Sequence, residues 1–81
     1  MEKKWYVYIV LCEKDNSLYT GITTDVIKRI EKHNNGKGAK YTRNRGPVVL
    51  LKVFEFKNKS LASKEEYRIK QLNKQEKLKL L

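Results

Sequence analysis

The strongest constraint on the fold is an uninterrupted apolar run near the amino terminus, "WYVYIVLC" at residues 5–12. The odd-numbered and the even-numbered residues of this run are apolar alike, so both faces of a strand would be apolar. β-Branched and aromatic residues predominate, which is typical of a strand buried on both faces. A second such run, "VVLLKVFEF" at 48–56, predicts another strand. The first run is too short to span a membrane and lacks a small-residue cleavage site, so we expect neither a membrane span nor a signal peptide.

Cys12 is the only cysteine among the 81 residues, so no intramolecular disulfide can stabilise the chain. Its place inside the first apolar run predicts a buried thiol. A buried, unpaired thiol favours a reducing compartment, and we therefore expect a cytoplasmic protein.

Turn and capping residues divide the first half of the chain. Asp15 and Asn16 predict a turn, after which "LYTGI" at 18–22 returns as the second strand of a hairpin. A helix is then expected from about Asp25 until "NNG" at 34–36 stops it.

The second half adds a strand and two further helices. Ser60 is expected to cap a helix that runs to about Leu72, and the spacing of Asn73 and Glu76 predicts a capping box that opens a short third helix. The predicted order is ββαβαα, in one domain that spans residues 1–81. The fold class is therefore α/β of the α+β type, with a small three-stranded antiparallel sheet flanked by two or three helices.

The hairpin determines where two tyrosines lie. If an even-numbered loop closes around Asp15 and Asn16, Tyr19 lies opposite Cys12, and Tyr8 shares that face of the sheet. Their backbones would then be about 13 Å apart, the rise of four strand residues, so the two tyrosines would bracket a site and need not touch each other.

The first helix has a predicted buried stripe of Val26, Ile27 and Ile30. Arg29 and His33 fall on one flank of that stripe, next to each other. Two interpretations stay open here: Arg29 extends over the edge of the core beside a half-buried, hydrogen-bonded histidine, or the pair belongs to a functional site. The solvent-facing positions are Lys28, Glu31 and Lys32.

The second helix carries two adjacent carboxylates. Glu65 is expected to point into the apolar stripe and Glu66 to lie at its edge, so periodicity does not choose between them as site residues. Glu66 also has a purely structural interpretation, an ion pair with Lys70 one turn later. Asn73 either lines a site or only caps the third helix. The predicted inward stripe consists of Leu61, Ala62, Ile69 and Leu72.

Positive charge dominates the surface, with 19 Lys and Arg against 9 Asp and Glu and a net charge of +10. The usual partner of such a surface is a nucleic acid, whose phosphates release counterions on binding, whereas membrane association lacks a suitable amphipathic segment. The loop "GKGAKYTRNRGP" at 36–47 interleaves charge with an aromatic ring and is either a substrate contact or simply solvated. Its candidate nucleic-acid-binding residues are Lys37, Lys40, Tyr41, Arg43 and Arg45.

Several of these residues together resemble the GIY-YIG nuclease superfamily, in particular its small stand-alone members. The half-motif ending at Tyr8 is followed eleven residues later by "YTG" at 19–21, and a helix with Arg29 and His33 comes next. Further similar segments are "KYTRNRGP" and the spacing of Ala62, Glu66, Ile69 and Lys70. Tyr6 stands where the leading glycine of the first half-motif is usual, and Ile22 stands where many members have a lysine.

The resemblance implies a divalent-metal-dependent phosphodiesterase. It implies catalytic roles for Tyr8, Tyr19, Arg29 and His33, with Gly21 ending the second half-motif. Glu66 would be the carboxylate that binds one Mg²⁺ or Mn²⁺. The chemistry agrees, since an arginine fork fits phosphate oxygens and one carboxylate suits a Mg²⁺ that keeps most of its waters. Tyr19 is the expected general base and Tyr8 its support, although an ordinary tyrosine holds its proton until about pH 10.

Two classes of function follow from these features. The first is an endonuclease acting on DNA, selective for structure rather than sequence because no base-reading helix is evident. The second is a nucleic-acid-binding module with the same fold and little catalytic activity. Charge alone does not distinguish DNA from RNA, and a protein partner would be one way to supply specificity. A zinc site is not expected from one cysteine and one histidine.

Overall fold

The computed structural model describes residues 3–38 and 46–81 of the chain. The order of its elements is ββαβαα, which confirms the predicted order and the α+β fold class. The three strands form one antiparallel sheet in the order β2-β1-β3. The elements are β1 (Trp5–Cys12), β2 (Ser17–Thr23), α1 (Val26–Asn34), β3 (Val48–Phe56), α2 (Lys59–Lys70) and α3 (Lys74–Leu78).

Strand β1 is apolar on both faces because it lies in the centre of the sheet and each face has its own core. On one side, called the Tyr8 face below, Tyr8, Val10 and Cys12 are buried with Val48 of β3. Helix α1 contributes Ile30 to that side. On the opposite side, called the Val7 face, a second cluster includes two residues of α2. Its buried members are Val7, Ile9, Ala62 and Ile69.

The hairpin has a different register from the one predicted. Cys12 pairs with Ser17, so Tyr19 lies opposite Val10 and not opposite Cys12. The shift of two residues arises because the turn is centred one residue earlier, with Asn16 in the left-handed conformation at φ 59°. Tyr8 and Tyr19 do share a face, as predicted, but Tyr19 pairs with Val10, only two residues from Tyr8, so the expected four-residue separation of their backbones is wrong; their ring centroids are 6.3 Å apart.

Helix α1 is rotated relative to its predicted stripe. Ile27 is 74% exposed, so its assignment to the core is wrong. His33 is only 1% exposed, and it is fully buried instead of half-buried. The buried face is therefore centred between Ile30 and His33, which leaves Ile27 on the flank. Asp25 caps the helix, because its side chain accepts a hydrogen bond from the backbone N–H of Lys28.

Helix α2 begins earlier than predicted. Its N-cap is Asn58, whose side chain accepts from the backbone N–H of Leu61, and the prediction of Ser60 is wrong. Leu61 is 41% exposed because it lies about a quarter turn away from the buried Ala62 and Ile69. Helix α3 opens with the predicted capping box.

The predicted burial of the cysteine is confirmed. Cys12 is a free, buried thiol. Within the two described ranges, no helix is long and apolar enough to cross a membrane.

Candidate active site

Tyr8 is the centre of a polar cluster inside the Tyr8 face. Its side chain is completely buried, and its hydroxyl lies 2.9 Å from Nε2 of His33 and 3.2 Å from Nε of Arg29. Because Arg29 can only donate, the Tyr8 oxygen accepts from it. The Tyr8 hydroxyl can then donate its own proton to a neutral His33 that carries its proton on Nδ1. This arrangement links helix α1 to the central strand through two hydrogen bonds.

The electrostatics of the cluster keep both Tyr8 and His33 neutral at pH 7. Burial raises the pKa of Tyr8 above 10.0, although the hydrogen bond and charge of Arg29 oppose the rise. Burial and then the positive charge of Arg29 lower the pKa of His33 from 6.5. The hydrogen bond to Tyr8 raises the pKa of Arg29, so its guanidinium stays charged.

Two glycines make room for the buried rings. Gly21 pairs with Tyr8 across the hairpin, and a Cβ at Gly21 would lie 2.6 Å from Cζ of the Tyr8 ring. The glycine that ends the second half-motif is thus required by the close approach of a tyrosine. A Cβ at Gly38 would lie 2.8 Å from Cγ of His33. Sequence reasoning did not single out Gly38 as part of the site, because the spacing in sequence gives no sign that this backbone lies against the imidazole.

Tyr19 lies beside Tyr8 but is more accessible. Its ring centroid is 5.5 Å from that of His33, in an edge-on arrangement, and its side chain is half-buried. A hydrogen bond and a charge interaction with Tyr19 also contribute to the raised pKa of Arg29. Arg29 therefore interacts with both tyrosines, and of the two only Tyr19 has part of its surface open to solvent.

Glu66 of helix α2 is connected to Tyr19 through Lys70, whose Nζ lies 5.8 Å from the centroid of the Tyr19 ring. The negative charge of Glu66 is the smallest of the contributions that raise the pKa of Tyr8. The carboxylate forms an ion pair with Lys70 at 3.2 Å, so the predicted pairing one turn apart is present. The neighbouring Glu65 instead pairs with Arg68. Glu65 and Glu66 follow the buried Ala62 by three and four residues, and both side chains are half-buried, with 27% and 21% of their surface exposed.

Lys70 also lies near the tyrosines, although from the sequence it was assigned no role in the site beyond a pairing with Glu66 and a place in the spacing that resembles the family. Its Nζ lies 5.8 Å from the centroid of the Tyr19 ring while it also pairs with Glu66. A cation is thus present beside Tyr19. The one-turn spacing from Glu66 was the available signal, but a pairing on a helix surface is too common to indicate a site.

The donor set fits a loosely held, hydrated divalent ion. Among the described residues no group of three or more His, Cys, Asp or Glu side chains comes together. Glu66, with 21% of its side chain exposed, offers one accessible carboxylate. One carboxylate with room for waters is what Mg²⁺ accepts when phosphate oxygens complete its shell.

The predicted basic loop falls largely outside the part of the chain that the structure describes. Lys37 is within it and is exposed. The other four predicted contacts lie outside the described residues: Lys40, Tyr41, Arg43 and Arg45. Asn73 caps α3 through its side chain, as its spacing favoured.

Comparison with known proteins identifies the same family that the sequence motifs resemble. The model of the GIY-YIG catalytic domain family matches residues 4–79, which is nearly the whole chain. A UPF0213 protein of Oceanobacillus iheyensis is 57% identical over 81 residues, covering 100% of this chain and 93% of the relative. Another from Staphylococcus haemolyticus is 59% identical over 78 residues, covering 96% of this chain and 94% of the relative.

Two solved structures are also similar. The solution NMR structure of a UPF0213 protein from Bacillus halodurans has 52% sequence identity and a TM-score of 0.60, over 95% of this chain and 81% of that one. A second NMR structure, of a protein from E. faecalis, has 41% identity and a TM-score of 0.63, over 99% of this chain and 88% of that one.

Proposed function

Because the chain belongs to the GIY-YIG catalytic domain family, we propose that it is a divalent-metal-dependent endonuclease that hydrolyses phosphodiester bonds in DNA. We further propose that it selects for DNA structure and not for sequence. The observation that carries the proposal is the contact of Arg29 Nε with the Tyr8 hydroxyl at 3.2 Å. It holds a guanidinium beside two tyrosines, and the negative charge of Glu66 contributes to the raised pKa of one of them, Tyr8.

Arg29 is the group that binds the scissile phosphate in this proposal. Its fork can hold nonbridging oxygens and neutralise the charge that grows on them in the transition state. The Tyr8 contact uses Nε and fixes the orientation of the side chain. Such preorganisation is what makes an electrostatic contact effective in catalysis.

Tyr19 is the proposed general base and Tyr8 its support. The raised pKa of Tyr8 and its complete burial keep its proton on the hydroxyl, where it serves the hydrogen bond to His33. Tyr19 has access to solvent and is therefore better placed to take a proton from an attacking water. For this step Tyr19 first releases its own hydroxyl proton to solvent and then takes one from the water. Attack of the resulting hydroxide on phosphorus breaks the bond to the leaving oxygen, which takes up a proton from solvent.

Glu66 would hold the single Mg²⁺ or Mn²⁺. The ion supplies Lewis-acid neutralisation of the phosphate and leaving-group charge when it is bound. His33 is assigned a positioning role, because its contact is with Tyr8 and it is buried.

The function is tested by incubating the purified chain with Mg²⁺ or Mn²⁺ and labelled duplex, branched, single-stranded and RNA substrates. We expect cleavage of DNA, faster on branched than on plain duplex, which stops when EDTA removes the metal. Arg29→Lys keeps the charge and removes the fork, and should slow cleavage by about a hundredfold. Cleavage of RNA in preference to DNA would overturn the assignment of substrate.

A second candidate function is a binding module with little activity. The Glu66–Lys70 ion pair favours it, because it neutralises the carboxylate that would bind the metal. That alternative predicts tight DNA binding with no metal-dependent cleavage of any substrate in the panel.

A further inference from the structure

A cleft of about 190 Å³ lies at the start of helix α1, next to the candidate active site. Arg29 belongs to both, because it lines the cleft and also donates to Tyr8. The lining residues are Thr23, Thr24, Asp25, Lys28, Arg29 and Lys32. The cleft therefore continues the proposed catalytic pocket along α1.

The charge in this cleft is mostly positive. Three cationic side chains line it against the single carboxylate of Asp25, which already caps the helix by accepting from the Lys28 backbone. The Thr23 hydroxyl is also engaged, with the backbone of Asp25. Lys28 and Lys32 are exposed, and neither has an ion-pair partner within residues 3–38 and 46–81. The ammonium groups of Lys28 and Lys32 are therefore available to bind an anionic ligand.

The shape and chemistry of the lining favour a phosphate over a base. No aromatic ring is among the lining residues, so the cleft offers no surface on which a base would stack. Lys28 and Lys32 are one turn apart on α1, about 6 Å along its axis, so their ammonium groups can close on one phosphate. Lysine and threonine groups of this kind position a nucleic-acid backbone without reading its sequence.

We propose that this cleft binds the backbone phosphate adjacent to the scissile one, held by Lys28 and Lys32. The substrate strand would then run along the start of α1, with Arg29 between the two phosphate positions. The inference rests on the proposed function for the identity of its ligand. It adds a second phosphate position, which the catalytic residues alone do not provide.

The test is an NMR titration of the ¹⁵N-labelled full chain in EDTA, where no metal-dependent cleavage takes place. The probes are tetrathymidylate, its uncharged methylphosphonate analogue and inorganic phosphate. We expect tetrathymidylate to shift the backbone amides of Thr24, Lys28 and Lys32, and the uncharged analogue to shift none of them. Inorganic phosphate should bind much more weakly than the oligonucleotide, because it fills only one of the phosphate positions that the strand occupies.

Matched variants distinguish the contribution of the cleft to binding from the contribution of the overall positive charge. Lys28→Ala with Lys32→Ala should weaken tetrathymidylate binding roughly fivefold or more. Lys14→Ala with Lys79→Ala removes the same charge from exposed positions outside the cleft and should have a smaller effect.

Three results would overturn the proposal: unshifted cleft amides, equal loss in both double variants, or inorganic phosphate binding as tightly as the oligonucleotide. Failure of the cleavage assay with an intact titration would instead refute the proposed function alone.

Discussion

At the scale of single residues, the site depends on the burial of Tyr8 and His33 against each other. The sequence correctly predicted that Tyr8 and Tyr19 share a face, since strand alternation is local. Their separation was wrong because the hairpin register depends on the conformation of Asn16, which composition does not specify. The burial of His33 was underestimated, because a histidine enters a core only with a partner, and that partner is distant in sequence.

His33 predicts a pH dependence of stability. Its pKa is lowered in the folded state, so below about pH 6.5 the unfolded chain takes up a proton that the folded chain resists. The free energy of unfolding should therefore fall as the pH drops below that value, by up to about 1.4 kcal/mol per pH unit. Urea denaturation between pH 8 and pH 5 measures this.

The control for this prediction is His33→Gln, which does not titrate. Its stability should be flatter than that of the unsubstituted chain over the same pH range. Parallel curves for the two proteins would show that His33 does not resist protonation.

At the scale of elements, helix and strand bounds were well predicted where capping and apolar patterning agree. Strand β3 and the capping box of α3 match the sequence prediction. The predicted start of α2 was wrong because Asn58 and Ser60 are both good N-cap residues, and only packing selects one of them. The approach of Glu66 to the tyrosines was not predictable from periodicity, because it depends on how α2 packs against the sheet.

The two interpretations of Asn73, a cap of α3 only or a residue that lines the site, can be separated by substitution. Its side chain accepts from the backbone N–H of Glu76, so Asn73→Ala should reduce the free energy of unfolding by about 1 kcal/mol. Asn73→Asp keeps the cap and should retain stability. A large fall in cleavage by the stable Asn73→Asp variant would instead assign Asn73 to the site.

At the scale of the whole molecule, a net charge of +10 predicts that binding to nucleic acid is largely electrostatic. Arg43→Ala with Arg45→Ala should weaken binding to unrelated DNA sequences alike. The slope of log affinity against log salt should become shallower by up to about 1.8 for duplex DNA, if each arginine contacts one phosphate. Fluorescence anisotropy at several salt concentrations measures it, and a loss confined to one sequence would indicate base readout.

The central claim, that Glu66 holds the metal for cleavage beside Tyr19 and Arg29, is tested most directly by comparing two neighbouring carboxylates. The measurement is the single-turnover rate of Mg²⁺-dependent DNA cleavage by Glu66→Gln and by Glu65→Gln. Glutamine keeps the volume and removes the charge, so we expect Glu66→Gln to fold and to lose about a hundredfold or more in rate. Glu65→Gln removes only the pairing with Arg68 and should cleave at nearly the unsubstituted rate. Cleavage lost in Glu65→Gln and kept in Glu66→Gln would contradict the account.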